Sequence, residues 1–112
     1  GKAILMKINK TFRLLVLSAA LKVDSRKVKD FFGTGRTRFA TPEELKELTG
    51  VVPGAVPPFG PPIIDLEIFV DKSILTNDRI AFNAGLLTKS IIMSTKDYLA
   101  LVQPQIIDFS QS

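Results

Sequence analysis

The residue types that most often carry hydrolytic chemistry are missing from this 112-residue chain, which contains no His, no Cys and no Trp. Without them there is no thiolate nucleophile, no disulfide, no Cys/His zinc site and no imidazole general base. Any catalysis must therefore use Lys, Asp, Glu, Ser or Thr side chains, Tyr98, backbone dipoles or the substrate itself. We expect neither a metal ion nor a cofactor.

One loop could supply backbone chemistry. Residues 51–62 hold five of the seven prolines in the chain and include the run Gly-Ala-Val-Pro-Pro-Phe-Gly at 54–60. Proline fixes φ and removes N–H donors, so this segment is neither helix nor interior strand. Gly54 and Gly60 permit backbone conformations that bring N–H groups next to a ligand carbonyl or an oxyanion. A pocket wall and a rigid connector between two elements are equally compatible with this pattern.

One lysine stands out by its position. Lys2 enters a predicted strand among apolar neighbours. Such a lysine is most often a solvated edge residue. If Lys2 points into a cleft instead, it provides a fixed positive charge or, with a lowered pKa, a base.

Other candidate motifs carry little chemistry. The chain has no GxGxxG, P-loop or HExxH pattern. The Gly-Thr-Gly at residues 33–35 is a loop with two glycines beside Arg36. Glu43 and Glu44 open a helix, where their charges complement its dipole and are poorly placed for paired acid–base catalysis.

Charge is distributed unevenly along the chain. Residues 1–40 contain ten Lys or Arg against two Asp, whereas residues 41–112 contain five basic and nine acidic residues. The net charges are therefore +8 and −4. This asymmetry is compatible with a basic face for a phosphate-bearing partner, but charge bias alone favours basic residues that only solvate helix and hairpin surfaces.

The pattern of local signals predicts an α+β fold: a single domain, residues 1–112, with a mixed, mostly antiparallel sheet flanked by short helices. Strands are predicted at residues 3–8, 12–18, 37–40, 66–70, 79–84, 90–93 and 106–109. The first two form a hairpin, and the continuous apolar run at residues 14–17 indicates burial on both faces.

Capping signals predict three helices. The first begins at an Asp24 N-cap, ends at Gly33 and turns its Val28, Phe31 and Phe32 side chains to one face. The second has a Thr41–Glu44 capping box, with Leu45 and Leu48 facing inward and Gly50 at its end. The third starts at Ser94 and runs to Pro104, and a single helical turn is expected at residues 71–75.

No apolar run approaches the roughly 18 residues that span a bilayer, and nothing resembles a signal peptide. We therefore expect no membrane partner and a cytoplasmic location. The chain opens with Gly-Lys-Ala and no initiator Met, so we expect it to begin within a longer protein.

Three segments together resemble the YbaK/prolyl-tRNA synthetase-associated editing domains. Residues 1–6, Gly-Lys-Ala-Ile-Leu-Met, are similar to the family's strand with an active-site lysine. Residues 38–45, Arg-Phe-Ala-Thr-Pro-Glu-Glu-Leu, with Leu-Thr-Gly at 48–50, resemble a second family segment. Residues 54–60 match its GxxxP loop. The order and spacing agree through most of the chain. The family's elements before the lysine strand are missing here.

The resemblance implies an aminoacyl-tRNA deacylase that hydrolyses the ester of mischarged tRNA in trans and so supports translation fidelity. It assigns catalysis to Lys2, Gly54 and Ala55, with Lys2 polarising the ester and the loop backbone holding the aminoacyl carbonyl. It assigns substrate binding to a larger set: Val56, Pro57, Pro58, Phe59, Gly60, Phe82, Asn83 and Gly85. Candidates for tRNA phosphate contacts are Lys7, Lys10, Arg36 and Arg38. The implied partners are the acceptor end of aminoacyl-tRNA and an aminoacyl-tRNA synthetase.

The chain departs from the family pattern after Gly85. It continues with Leu-Leu-Thr at residues 86–88 where bacterial members commonly have Lys-Arg-Gly, and Ser90 replaces a frequent Asp. Two alternatives to a deacylase therefore remain open. One is an inactive tRNA-binding or translation-associated module of the same fold, and the other is a small-ligand pocket protein without an RNA role.

Overall fold

The computed structural model describes residues 1–111, and it confirms the predicted α+β class with a mixed sheet. In chain order the elements of these residues are β1 (Lys2–Ile8), β2 (Thr11–Leu17), α1 (Ser25–Phe32), β3 (Thr37–Phe39), α2 (Pro42–Thr49), β4 (Ile68–Asp71), a 3₁₀ turn (Lys72–Thr76), β5 (Arg79–Asn83), β6 (Ser90–Ser94), α3 (Thr95–Val102) and β7 (Gln105–Ile107).

Five strands form the larger sheet in the order β3-β1-β2-β4-β7. The β1–β2 hairpin and the β1–β3 pair are antiparallel, whereas β2–β4 and β4–β7 are parallel. Strands β5 and β6 form a separate antiparallel pair. The hairpin turns at Asn9, whose φ of 60° gives the left-handed conformation that a two-residue turn needs.

The central strand β2 is covered on both faces, as its continuous apolar sequence predicts. Residues 14–17 are all fully buried. Leu14 and Val16 face a core cluster that contains Leu45 of α2 and Tyr98 of α3. On the other face a second cluster packs against α1. The proline-rich loop and the β5–β6 pair lie on the first face, and the site described below forms there.

Local capping signals located the helices well. Asp24 caps α1 by accepting from the amides of Arg26 and Lys27. Thr41 and Glu44 form the predicted capping box of α2. Gly33 and Gly50 end these two helices in the left-handed conformation.

One residue that was predicted to face inward does not: Leu48 of α2 is 41% exposed. Phe31 of α1 is 44% exposed, but it shares a face with Phe32, as predicted, and its ring contacts Phe32 and Phe69. Each of these eight-residue helices has one fully or nearly buried apolar side chain, Val28 and Leu45. A helix of two turns offers the core too narrow a stripe to cover every apolar position on that side.

The remaining boundaries shift by a few residues. Strand β4 begins at Ile68 and not at Leu66, and residues 51–62 form neither helix nor strand, as their prolines predict. Across residues 1–111, the helices are all too short or too polar to cross a bilayer.

Candidate active site

A cleft of about 370 Å³ lies where the start of β1, the proline-rich loop and the β5–β6 pair meet. The backbone nitrogen of Gly1 donates to the carbonyl of Ala81, which brings the start of β1 against β5. The cleft is lined by Gly1, Lys2, Ala3, Ile4, Ala19, Gly54, Val56, Ala81, Phe82, Asn83 and Ser90. The topology thus brings the lysine strand, the first half of the GxxxP loop and the end of β5 into one concavity.

The backbone conformation and hydrogen bonds of the loop determine which of its amides could donate to a ligand. Gly54 has a φ of 86°, a conformation that favours glycine, and a Cβ placed there would come within 3.2 Å of the Leu87 side chain. The Ala55 amide donates to the Val52 carbonyl at 3.1 Å, so the loop itself uses this donor. Within residues 1–111, the amides of Gly54 and Val56 have no such partner.

Three hydrogen bonds hold the loop against the rest of the molecule. The side-chain amide of Asn83 donates to the Gly54 carbonyl at 2.9 Å. The Gly85 amide donates to the Ala55 carbonyl at 2.8 Å. The hydroxyl of Tyr98, on α3, donates to the Pro58 carbonyl at 2.6 Å. These three hydrogen bonds hold the loop in place, so its unpaired amides have a fixed geometry before a ligand binds.

Sequence reasoning gave Tyr98 no role in the loop, although it is the only Tyr in the chain and is fully buried. Burial raises the pKa of Tyr98, so its hydroxyl remains a protonated donor. Its ring meets Phe59 edge to face at 5.6 Å, and Phe59 meets Phe82 in the same way at 5.4 Å. These edge-to-face contacts connect α3 through the loop to the wall of the cleft.

Removal of the Tyr98 hydroxyl tests whether this anchor matters. Tyr98→Phe leaves the buried Pro58 carbonyl without its donor, which typically costs about 1–3 kcal/mol. We expect a lower thermal midpoint and, because the loop loses an anchor, slower turnover at the cleft. Thr95→Val is the matched control, since it removes a hydroxyl that donates at 2.7 Å to the Asn77 carbonyl, away from the loop. Equal effects of both variants on turnover would show that Tyr98 contributes stability only.

Lys2 lies half-buried at the rim of the cleft, opposite Leu17 of β2. The ion pairs among residues 1–111 join Arg13 to Glu67, Lys27 and Lys72 to Asp108, and Arg38 to Glu44. Lys2 takes part in none of them. Its ammonium is therefore not neutralised by a carboxylate of the described residues and is available to a ligand.

The predicted substrate-binding residues separate into two groups. Val56, Phe82 and Asn83 line the cleft with Lys2 and Gly54. The remaining predicted residues, Pro57, Pro58, Phe59, Gly60 and Gly85, are not among its lining residues.

The residues outside the cleft have structural positions. Pro57, Phe59 and Gly85 line a separate apolar hollow of about 360 Å³ behind the loop, which we call the loop hollow. Pro58 is fully buried. Gly60 packs so closely that an added Cβ would lie 3.0 Å from the Ile68 side chain. These residues shape and position the loop. Ser90, which lines the cleft, was noted in the sequence only as a departure from the family pattern.

Three of the four predicted tRNA contacts cluster on the sheet. Lys7, Arg36 and Arg38 line a hollow of about 260 Å³, the basic hollow, and Lys10 lies apart in the β1–β2 turn. Lys7 is five residues from Lys2 along β1, or roughly 17 Å at strand spacing.

Arg38 already forms an ion pair within the protein. Its guanidinium binds both carboxylate oxygens of Glu44, at 2.7 and 2.9 Å. These bonds, together with the Thr41 amide, lower the pKa of Glu44 to about 2. Arg38 therefore belongs to the α2 capping network, and Lys7 and Arg36 are the more available cations of the basic hollow.

A metal site would need a cluster of metal-ligating side chains. In the part of the chain that the structure describes, no three His, Cys, Asp or Glu side chains group together in a way that could hold a metal ion. The arrangement that is present can bind a carbonyl oxygen through backbone amides, hold an anionic or polar group at Lys2 and enclose a small side chain between Val56 and Phe82.

Comparison with known proteins places this geometry in context. The family model described as "Aminoacyl-tRNA editing domain" matches residues 1–101. The multifunctional Ser/Thr-tRNA deacylase ProXp-y of Escherichia coli strain K12 is 39% identical over 102 residues, which are 88% of this chain. The chain spans 59% of the length of that relative.

A second relative and a solved structure are also similar to this chain. A proline–tRNA ligase of Macrococcus caseolyticus is 28% identical over 84 residues, which are 75% of this chain and 14% of the ligase. A crystal structure provisionally described as a trans-editing enzyme for prolyl-tRNA synthetase superposes with a TM-score of 0.84 at 29% identity. The match covers 99% of this chain and 69% of that structure.

Proposed function

Because this chain belongs to the aminoacyl-tRNA editing domain family, we propose that it hydrolyses the ester of mischarged aminoacyl-tRNA in trans. The observation that carries the proposal is the cleft that Lys2, Gly54 and Val56 line together, with the amides of Gly54 and Val56 left without a partner among the described residues. An aminoacyl ester is already activated, so hydrolysis needs a placed water and stabilisation of the tetrahedral oxyanion. A cleft without His or Cys can supply both.

The reaction proceeds by attack of water on the ester carbonyl carbon. The amides of Gly54 and Val56 donate to the carbonyl oxygen as negative charge develops on it. The ammonium of Lys2 holds the ribose end of the ester. The carbon–oxygen bond to the ribose then breaks, and the ribose oxygen takes up the proton that the water loses, relayed through the neighbouring ribose hydroxyl. Ala55, whose amide is used within the loop, positions its neighbours and does not bind the carbonyl.

The polar part of the cleft lining favours an aminoacyl group that carries a hydroxyl. Val56 and Phe82 close the cleft on the loop side, and the polar side chains of Asn83 and Ser90 lie beside them. The Asn83 amide nitrogen donates to the Gly54 carbonyl, and the Ser90 hydroxyl donates to the Asn83 side-chain oxygen at 3.5 Å. The Ser90 oxygen can still accept a hydrogen bond from a substrate hydroxyl. We therefore propose seryl and threonyl esters as substrates, in line with the name of the Escherichia coli relative.

The acceptor end of tRNA is the proposed partner, bound with its ester in the cleft and its phosphates along β1 toward the basic hollow. The similarity to a proline–tRNA ligase makes a prolyl-tRNA synthetase a candidate second partner. Because aminoacyl-tRNA is consumed in the cytoplasm, we propose that the protein acts there.

A deacylation panel tests the substrate assignment. Single-turnover hydrolysis is measured for tRNAs charged with Ser, Thr, Ala, Val and Phe. We expect the seryl and threonyl esters to react fastest and the phenylalanyl ester to remain near its spontaneous rate. Tight tRNA binding with no acceleration of any ester would favour the inactive tRNA-binding module.

The phosphate contacts predict a measurable salt dependence. Lys7→Ala and Arg36→Ala should each weaken tRNA binding and lower the slope of log affinity against log salt by about 0.7–0.9. Lys96→Ala, on the exposed start of α3, is the matched control and should leave the slope unchanged. Filter binding at several salt concentrations gives the slopes. Equal slopes for all four proteins would remove the basic hollow from the tRNA path.

A further inference from the structure

A second hollow adjoins the cleft across the first residues of β1. This hollow of about 390 Å³, the edge hollow, is lined by Lys2, Ile4, Lys22, Val23, Ser25, Phe39 and Gln111. Lys2 and Ile4 also line the cleft. The two cavities therefore share a wall, and the Lys2 side chain stands between them.

The β1 edge beside this hollow is open. Strand β3 pairs with β1 only from Met6 to Ile8, and the last contact is the Ala40 amide donating to the Leu5 carbonyl at 2.9 Å. Residues 2–4 consequently have no strand partner on that side among the described residues.

The lining of the edge hollow has the chemistry of a nucleotide site. Phe39 lines the hollow and is 53% exposed, so its ring is accessible to a ligand there. Lys22, exposed at the rim, adds a second cation to Lys2. Exposed aromatic rings flanked by cations are how proteins hold the bases and phosphates of single-stranded RNA ends.

We propose that the edge hollow binds the terminal nucleotide of the substrate, with its base stacked on Phe39 and its 5′-phosphate near Lys22. This inference rests on the proposed function. In aminoacyl-tRNA the ester and the terminal base are attached to one ribose, so the base site must adjoin the ester site. With the ester in the cleft and the ribose at Lys2, the edge hollow is the cavity on the far side of that lysine.

The loop hollow fits this requirement less well. It shares Phe82 with the cleft, but its lining has no Lys or Arg to meet a phosphate. Lys2 is also not among its lining residues. Charge and position therefore both favour the edge hollow.

Binding of short RNA tests the inference without any catalytic step. The trinucleotide CCA and the same molecule lacking its terminal base are titrated into the protein and followed by NMR chemical shifts. We expect the wild-type protein to bind CCA about tenfold more tightly than the abasic form, the order of one base–aromatic stack. Phe39→Leu should abolish the preference.

Phe31→Leu is the matched control. Phe31 is 44% exposed, lies on α1 and packs on Phe32 and Phe69 outside the hollow, so the preference for CCA should survive its replacement. Equal wild-type affinity for CCA and the abasic form, or an undiminished preference in Phe39→Leu, would overturn the inference. Neither result depends on deacylation, so failure of the base site is distinguishable from failure of the proposed activity.

Discussion

Lys2→Ala is expected to lower the single-turnover rate of seryl-tRNA hydrolysis by about 10²-fold or more, the size of effect seen when one preorganised charge or donor is removed from an acyl-transfer site. The expectation follows from the position of Lys2 at the rim of the cleft, with no carboxylate partner among the described residues. Its charge is thus uncompensated until substrate arrives.

The variant should fold normally. Lys2 is half-buried, makes no ion pair and is the first residue of β1, so its truncation should change the free energy of unfolding by no more than about 0.5 kcal/mol. Lys7→Ala, five residues along the same strand, is the matched control. It should weaken tRNA binding while leaving the rate at saturating tRNA unchanged. An undiminished rate in Lys2→Ala would show that Lys2 is a solvated edge residue with no part in the reaction.

The largest expected effect on stability comes from Asp71, at the end of β4. This fully buried carboxylate accepts from the amides of Phe109 at 2.7 Å, Ser110 at 3.1 Å and Ser73 at 3.0 Å. It therefore fastens the tail of the chain and the 3₁₀ turn to the central sheet. Asp71→Ala leaves three buried donors without an acceptor, and we expect a loss of about 3 kcal/mol or more.

The same carboxylate predicts a pH dependence. Burial alone would raise the pKa of Asp71, but the hydrogen bonds from Ser73, Phe109 and Ser110 outweigh it and hold the pKa below its ordinary value. A group with a depressed folded-state pKa stabilises the protein above its unfolded pKa, near 4 for Asp. That contribution is lost as pH falls through the lower folded-state pKa.

Urea denaturation of Asp71→Ala measures the predicted loss of stability, and urea denaturation of Asp71→Asn at several pH values measures the pH dependence. The wild type should exceed the variant in free energy of unfolding by a constant amount above about pH 5, and the difference should shrink below about pH 4. Asp65→Asn, at an exposed position in the loop before β4, should parallel the wild type at every pH. A difference between wild type and Asp71→Asn that is the same at pH 3 and pH 7 would contradict this account of Asp71.

Short-range signals predicted the parts of the fold that form locally. The Thr41–Glu44 capping box, the Asp24 cap and the helix-ending Gly33 each depend on residues within one turn of helix. The continuous apolar run at residues 14–17 predicted a strand covered on both faces because burial leaves no alternation in the sequence.

The details of the site depend on contacts between distant residues and could not be predicted in this way. Asn83 reaches Gly54 across 29 positions, and Tyr98 reaches Pro58 across 40. The pattern also could not show that the Ala55 amide is used within the loop, since that depends on the actual turn at Val52. Resemblance to a family located the loop and the lysine, but only the folded chain shows which amides are free.

We propose above that the cleft beside Lys2 and Gly54 hydrolyses an aminoacyl ester. Release of labelled serine from seryl-tRNA, measured side by side for buffer, wild type and Lys2→Ala, tests it most directly. We predict that the wild-type protein accelerates release by at least about 10²-fold over buffer and that Lys2→Ala removes most of that acceleration. Wild-type release at the buffer rate, or equal acceleration by both proteins, would contradict the claim.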